Sequence, residues 1–370
     1  MNFDLSDEQK MLAEQARGLL ADRAPFDRLR TLIDAKAEWD EPLWKDVAGM
    51  GFLGARIPEA FGGLGLSDLD LGVISEELGR ANVALPYFSS IILAADAIAM
   101  AGSDAQKAKW LPRLAAGEMV ACFAYAEGRQ GWRPDVMAAT YTTGHLAGKK
   151  SPVADAGIAD IAVVLCQESG TETLVVVDLA AEGVRREKLE SFDQLRAHYQ
   201  LEFSNAPAER LELATPEMVD RLFDRAAVQQ AFENVGAAEA SIHMARDYAM
   251  DRKIFGRPLA GYQAIKHKLA DALLQTEFAR SNAFYAGWAA TEAPEEVPAA
   301  AAAARLSALA AFETAARENL QIHGGIGYTF ESNCHFFYRR ERLNALALGP
   351  KQYWADRLIG SVSAKAEDAA

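Results

Sequence analysis

RKIFGRPLAGYQ, residues 252–263, is the most distinctive stretch of this 370-residue chain. It follows one long run with helical periodicity and precedes another. Arg252 is therefore expected to end a helix beside a tight Phe255-Gly256 turn, where its guanidinium is available to a phosphate-type ligand. The alternative, which the sequence leaves open, is that Arg252 only complements the negative end of the helix dipole.

A second stretch, QIHGGIGY at residues 321–328, has three glycines in four positions at the end of a later helical run. Glycines permit positive φ and let another backbone or a flat ligand approach closely. A plain helix stop needs only one glycine. Three of them, with Gln321 one turn earlier, favour contact with a ligand.

Over the whole chain the residue pattern changes twice, from helical periodicity to short strand-like runs and back to helical periodicity. This order indicates an α+β protein of three parts. We expect an N-terminal helical domain at 1–117, a middle β domain at 118–215 and a C-terminal helical bundle at 216–370. Alternating β/α units, a GxGxxG loop and a GxxxxGK[ST] loop are all absent from the sequence, which argues against a doubly wound nucleotide-binding sheet.

Local signals place some elements within this order. Ser6 and Gln9 have the spacing of a helix-capping box. The runs Ile161–Leu165 and Thr173–Val177 have strand character, and Leu211–Leu213 resembles a last strand after a turn at 204–207. One clear interruption of the C-terminal helices is expected at 293–298.

Composition restricts the classes of partner. With 38 Lys+Arg against 52 Asp+Glu, the net charge of −14 opposes association with nucleic acid or an anionic membrane. The apolar stretch at 91–102 is too short to span a bilayer, and the acidic N-terminus does not resemble a signal peptide. Three isolated cysteines form no metal-binding motif and fit a reducing cytoplasm.

At residues 252–263 and 321–328, and in segments such as Ile57–Gly65 and Glu76–Arg80, the sequence resembles the acyl-CoA dehydrogenase family. The resemblance implies that family's fold, an FAD cofactor and α,β-dehydrogenation of an acyl-CoA thioester in fatty acid or steroid catabolism. In such proteins the matching residues contact FAD, in part the FAD of a neighbouring subunit. Carried over to this chain, they are Arg252, Phe255, Gln263, Gln321 and Gly325.

The family's catalytic base does not carry over. It is usually a Glu at a fixed distance after the glycine-rich stretch, and that position holds Leu348 here. In other members the Glu lies near the start of the helix before RxxFG, and that position holds Ala226. Asp224 is the nearest carboxylate, but two residues place it about 200° around a helix. The identity of the base is therefore open.

The flavin-facing segments of the β domain depart as well. The family's Thr-Glu-Pro loop becomes residues 126–132, AEGRQGW, and its Trp-Ile-Thr becomes Pro152-Val153-Ala154. This mixture resembles the small or partner subunits of heteromeric acyl-CoA dehydrogenases, of the pimeloyl or steroid side-chain type. The chain is then expected to complete the flavin site of a second dehydrogenase-like subunit, although a homo-oligomer remains open. The alternative is a structural or binding member without redox activity.

The sequence gives no reason to assign a catalytic or binding role to several other polar residues. His323 and His335 are interpreted as ordinary core or surface histidines. Glu233 and Glu239 lie out of phase with the apolar positions around them, which predicts that they form the solvated face of their helix.

Overall fold

A computed structural model describes residues 5–128 and 137–368, with residues 364–368 as backbone only. The α-helices are α1 (Asp7–Arg23), α2 (Phe26–Asp34), α3 (Glu41–Gly49), α4 (Asp68–Arg80), α5 (Asp96–Ala101), α6 (Asp104–Ala115), α7 (Pro216–Asp251), α8 (Gln263–Glu292), α9 (Val297–His323), α10 (Cys334–Asn344) and α11 (Lys351–Asp368). The strands are β1 (Ala121–Ala124), β2 (Thr140–Thr142), β3 (His145–Ala154), β4 (Ile161–Glu168), β5 (Thr171–Asp178), β6 (Val184–Leu189), β7 (His198–Pro207), β8 (Glu209–Arg210), β9 (Lys253–Ile254) and β10 (Arg257–Pro258). Among the described residues, Phe52–Gly54, Glu59–Phe61, Leu259–Gly261, Pro294–Glu296 and Gly324–Tyr328 form short 3-10 helices, and Phe88–Ala95 forms a π-helix.

Helix starts follow the capping chemistry in the sequence. The predicted box at α1 is confirmed: the Gln9 backbone N–H donates to Ser6 Oγ at 3.1 Å, and the Ser6 N–H donates to Gln9 Oε1 at 3.0 Å. Ser67 and Asp70 make the same reciprocal pair at α4. Each pair satisfies backbone donors that the first helical turn leaves without a partner.

The middle of the chain forms an eight-stranded sheet in the order β6-β7-β3-β2-β4-β5-β8, with β1 pairing parallel to β4. The two predicted runs lie within β4 and β5, which pair in antiparallel register from Ile161↔Asp178 onwards. The first six residues of β4 are all buried. This burial explains why β4 reads as a continuous apolar run instead of an alternating one.

Two local predictions at the end of the sheet are wrong. The expected turn at 204–207 is part of β7, where Asn205 takes a φ of 56° and the pairing with β3 slips between Leu146/Ala206 and Gly148/Phe203. The turn residues thus produce a β-bulge instead of a reversal. The last strand is Glu209–Arg210, and Leu211–Leu213 forms the turn after it.

The C-terminal part is helical, and the break predicted at 293–298 is confirmed by the end of α8 at Glu292 and the start of α9 at Val297. α7 and α4 approach almost backbone to backbone. A Cβ added at Gly79 would lie 2.0 Å from the Glu233 carbonyl oxygen, and one added at Gly236 would lie 1.9 Å from that of Glu76. Glycine is therefore required on both helices at this crossing.

The predicted solvated face of α7 is wrong. Glu233 is 7% exposed and lies 3.6 Å from the Arg340 guanidinium. Glu239 is half-buried and pairs with Arg80 at 2.8 Å and Arg280 at 2.6 Å. Because α7 packs against other helices on nearly every side in this region, charges out of phase with its apolar residues are buried too, and they are matched by arginines.

The fold class, helical then β then helical, is confirmed. By internal contacts the chain divides into two compact units. Unit 1 is Met1–Arg28, Ser67–Val83 and Ala227–Ala370, and unit 2 is Leu29–Leu66 and Ala84–Ala226. The two boundaries between the three domains, at 117/118 and 215/216, remain a sequence-based proposal.

Candidate functional site

The RKIFGRP segment forms a two-residue β-hairpin. β9 and β10 pair through Ile254↔Arg257, so Phe255 and Gly256 are the two turn residues. Both have positive φ, 49° and 80°. This combination is typical of a type I′ turn, the usual connection in tight hairpins. The Phe255 side chain is 95% exposed at the tip.

Arg252 follows the last residue of α7. Its backbone N–H donates to the Tyr248 carbonyl at 2.8 Å, and its carbonyl accepts from the Leu259 N–H at 2.7 Å. The guanidinium is exposed and makes no ion pair or hydrogen bond with any residue that the structure describes. It is available to an anion, although its place at the helix end also fits the helix-dipole interpretation.

Gln263 is the first residue of α8 and is exposed. The preceding residue, Tyr262, makes no side-chain cap with this helix. The Ile265 N–H donates to the Tyr262 carbonyl at 3.1 Å, but the N–H groups of Gln263 and Ala264 have no hydrogen-bond partner among the described residues and depend on water or a ligand. Gln263 presents its amide beside them.

The three glycines of the glycine-rich turn meet different structural requirements. Gly324 has a φ of 65°, and a Cβ on Gly327 would lie 2.5 Å from the Leu320 carbonyl oxygen. A Cβ on Gly325 would meet nothing within 4 Å and needs no positive φ. Gly325 and Gln321 are both exposed. Only Gly325 therefore lacks a steric reason within its own chain, as expected of a residue that leaves room for another molecule.

One small apolar cluster connects the two stretches. Ala245 and Ala249 near the end of α7 form a cluster with Ile322, which follows Gln321, and Leu259 from the hairpin side packs against this cluster. The rings of Tyr248 and His323 stack at 4.1 Å, and burial lowers the pKa of His323, which favours its neutral form. The structure thus brings together the segments that carry all five predicted cofactor-binding residues.

The turn that contains Leu348 is firmly held. Leu348 is fully buried and has a φ of 55°, which is rare for a bulky residue. Its carbonyl accepts from Trp354 Nε1 at 2.7 Å. The buried Arg305 donates to the carbonyls of Asn344, at 3.0 Å, and Ala347. The backbone of this turn is therefore fixed by contacts on either side of Leu348.

Comparison with known proteins identifies the architecture around these residues. Residues 6–118 match the N-terminal domain model of acyl-CoA dehydrogenases, and residues 217–361 match the C-terminal domain model. The chain is 31% identical over 343 residues to the acyl-CoA dehydrogenase IpdE2 of Mycobacterium tuberculosis, covering 92% of this chain and 93% of the relative. The chain belongs to the acyl-CoA dehydrogenase family.

Solved structures of the family superpose over nearly the whole chain. A variant of the Tcur3481–Tcur3483 steroid acyl-CoA dehydrogenase has a TM-score of 0.89 at 29% identity, covering 98% of this chain and 99% of that one. The ChsE4–ChsE5 complex from Mycobacterium tuberculosis has a TM-score of 0.90 at 23% identity, with the same coverage. The resemblance to heteromeric members of the acyl-CoA dehydrogenase family is therefore confirmed.

Neither of the two positions at which the sequence resemblance expects the base carries a group that accepts a proton. Ala226, like Leu348, is fully buried, and both are aliphatic. Asp224 is 1% exposed, two residues from Ala226 on the same helix. It is a carboxylate within the packed part of α7 in unit 2, and its backbone position differs from both positions that the resemblance singles out.

The structure describes part of the two β-domain segments that differ from the family pattern. Residues 129–132 of the altered loop lie outside the described residues. At the other altered segment Pro152 is exposed, and the pairing of β3 with β7 slips between Lys150 and Val153. The Pro152-Val153-Ala154 segment thus offers neither an indole nor a hydroxyl.

A buried ion pair that the sequence did not reveal holds Glu127, near the start of the altered loop at residues 126–132. Lys150 Nζ is 2.6 Å from Glu127 Oε1, and the Glu127 carboxylate also accepts from the backbone N–H groups of Ala138 and Ala139. Burial lowers the pKa of Lys150, although Glu127 opposes this shift. Burial also disfavours ionised Glu127, but Lys150 and the two amides outweigh it and keep the Glu127 pKa below its ordinary value.

The residues that the structure describes lack two features. They include no helix with the length and apolar character needed to cross a membrane. They also include no group of three or more His, Cys, Asp or Glu side chains arranged to hold a metal ion.

Proposed function

We propose that this chain is a subunit of an FAD-dependent acyl-CoA dehydrogenase that completes the flavin site of a second, Glu-bearing subunit. The observation that carries the proposal is the hairpin at 253–258. It presents Phe255 almost fully exposed, and at its base lies the Arg252 guanidinium, which has no partner among the described residues. An exposed aromatic ring on a strained turn has no function within its own chain and suits contact with another molecule.

The residues at this end of unit 1 fit the outer part of FAD. Arg252 is a bidentate donor suited to a pyrophosphate, and the open α8 N-terminus favours negative charge. Gly325 leaves space for close approach, and the amides of Gln263 and Gln321 add donors and acceptors. These properties support the carry-over of the family's ADP-facing residues to this chain.

The residues that perform proton abstraction are proposed to come from the other subunit. Dehydrogenation of an acyl thioester needs a carboxylate in a dry pocket to remove the α-proton, and FAD, when bound, would supply the acceptor for the β-hydride. Leu348 and Ala226 accept no proton, so this chain binds and orients the cofactor without supplying the base. The solved relatives Tcur3481–Tcur3483 and ChsE4–ChsE5 are each named by two components, which supports a heteromeric assembly. The acyl-CoA dehydrogenase name of the relative IpdE2 supports an acyl-CoA substrate.

The test compares Arg252→Ala with Arg246→Ala, alone and mixed with a Glu-bearing partner. Arg246 is an exposed arginine near the end of α7, paired to Asp247 at 2.7 Å, and serves as the matched control. Loss of a charge-assisted hydrogen bond costs about 1.5–3 kcal/mol, or roughly one to two decades of affinity. Arg252→Ala should therefore release FAD while helical content stays unchanged, and Arg246→Ala should retain it.

Equal flavin retention in both variants, alone and in the mixture, would show that Arg252 only stabilises the end of its helix. The proposed cofactor site would then be wrong. A chain that stays colourless when refolded with FAD and a partner would instead support the structural alternative.

A further inference from the structure

The hairpin at 253–258 holds an unfavourable backbone conformation. Phe255 takes a φ of 49°, which crowds the Cβ of any residue except glycine and is rare for a large side chain. Such a conformation persists only where surrounding contacts enforce it. The tip itself provides none, because Phe255 is 95% exposed and a Cβ on Gly256 would meet nothing within 4 Å.

Besides the backbone pairing of β9 and β10, both flanks of the turn are contacted by the side chain of Tyr262. Its hydroxyl donates to the Ile254 carbonyl at 2.9 Å, and the Arg257 guanidinium lies 3.8 Å from the centre of its ring. Ile254 and Arg257 are the paired residues that flank the turn. Tyr262 therefore holds both sides of the turn at once, one by a hydrogen bond and the other by a cation–π contact.

Tyr262 is itself well anchored. Its backbone N–H donates to the Leu259 carbonyl at 3.1 Å, and its carbonyl accepts from the Ile265 N–H at 3.1 Å as α8 begins. Its side chain is half-buried. The ring thus has a fixed base at the start of a 30-residue helix from which it can restrain the hairpin.

We propose that Tyr262 is a positioning residue that holds the hairpin in the strained form in which Phe255 meets the flavin of the neighbouring subunit. This inference rests on the proposed function. Its physical basis is preorganisation: a turn that is already ordered loses less entropy when it binds. The hydroxyl is the decisive atom, because Phe at this position would keep the ring contact with Arg257 and lose only the bond to Ile254.

The experiment uses Tyr262→Phe and Tyr262→Leu, with Tyr141→Phe as a control that removes a hydroxyl from unit 2. Hydrogen exchange of the peptide containing residues 253–258 should be roughly three- to tenfold faster in Tyr262→Phe, as expected for one lost hydrogen bond. It should be faster again in Tyr262→Leu, which also loses the ring. FAD dissociation from the mixture with the partner should accelerate in the same order, with helical content unchanged.

The outcomes separate this inference from the proposed function. If both Tyr262 variants match the control in exchange and in FAD dissociation while Arg252→Ala still releases FAD, the positioning role is wrong and the flavin site stands. Faster exchange without faster FAD dissociation also overturns the positioning role. If Arg252→Ala and the Tyr262 variants all retain FAD, the proposed function itself is wrong.

Discussion

Two bulky residues, Phe255 and Leu348, adopt left-handed backbone, and both occupy positions that the family resemblance singles out. Their surroundings differ. Leu348 is buried in a turn fixed by Arg305 and Trp354, whereas Phe255 projects into solvent from a hairpin held by Tyr262. The strained backbone at Leu348 belongs to a turn whose side chain cannot act as an acid or base. The strained backbone at Phe255 instead presents the side chain that we propose contacts the flavin of a neighbouring subunit.

Glu341 is the residue for which a pH dependence is most clearly expected. It is 2% exposed, and burial raises its pKa from 4.5 to about 7 although Arg342 opposes the shift. Because the folded pKa exceeds the unfolded one, the stabilisation by protonated Glu341 is fully present below about pH 4.5. It is lost as the pH rises through about 7.

Glu341→Gln should therefore raise the melting temperature relative to wild type more at pH 8 than at pH 5. Glu313→Gln is the control, because Glu313 is half-exposed and bonds the same Arg342 guanidinium at 3.0 Å. Thermal unfolding of the three proteins at both pH values measures the effect. The same difference from wild type at both pH values in Glu341→Gln would contradict the assigned burial penalty.

At the scale of the element, local sequence patterns predict where most helices and strands occur. They do not predict which side chains are exposed where packing between distant segments decides the exposure. The capping box at Ser6 is a short-range signal, and it was sufficient to place α1. Glu233 on α7 was misjudged, because its burial depends on Arg340, more than a hundred residues later in the sequence. Periodicity reports one face of a helix and cannot reveal that other helices cover the remaining faces.

The Lys150–Glu127 ion pair in the β domain is a contact between distant residues that the sequence pattern does not reveal, and its contribution to stability can be tested. Lys150→Met should lower the free energy of unfolding by roughly 3 kcal/mol, because Glu127 would keep a buried charge without its cation. Lys149→Met is the control: Lys149 is exposed and lies 3.4 Å from Glu202 at the surface. Such a surface pair contributes only about 0–1 kcal/mol. Denaturant unfolding of both variants checks the difference.

Similar destabilisation by the two substitutions would show that the Lys150–Glu127 pair adds nothing beyond a surface ion pair. A double variant, Lys150→Met with Glu127→Gln, provides a further check. It should recover part of the loss, because the uncompensated carboxylate is then removed.

At the scale of the whole molecule, the sequence predicted the fold and the five candidate residues through family resemblance, but not how the site is held. Tyr262 contributes through a hydroxyl bond and a ring contact, neither of which leaves a periodic signal. The Lys150–Glu127 pair joins residues 23 positions apart and was equally invisible. Contacts that depend on side-chain geometry require the three-dimensional structure.

Activity should depend on the assembly and not on this chain alone. With FAD and a series of acyl-CoA thioesters, the isolated chain should not reduce an artificial electron acceptor, because Leu348 and Ala226 cannot remove a proton. The mixture with a Glu-bearing partner should be active, and Asp224→Asn in this chain should leave its rate unchanged. Turnover by the isolated chain that is lost in Asp224→Asn would identify Asp224 as a base. It would refute the proposal that the partner subunit supplies the base.

The interleaving of the two units has a consequence for synthesis on the ribosome. Unit 1 takes its first segments from residues 1–28 and 67–83, but the rest begins only at residue 227. α1 and α4 therefore emerge long before the helices that cover them. Unit 2 ends at residue 226 and has its whole sequence available earlier. Unit 2 is thus expected to be able to fold before unit 1 is complete, and α1 and α4 must wait for residues from 227 onwards before their own unit can form.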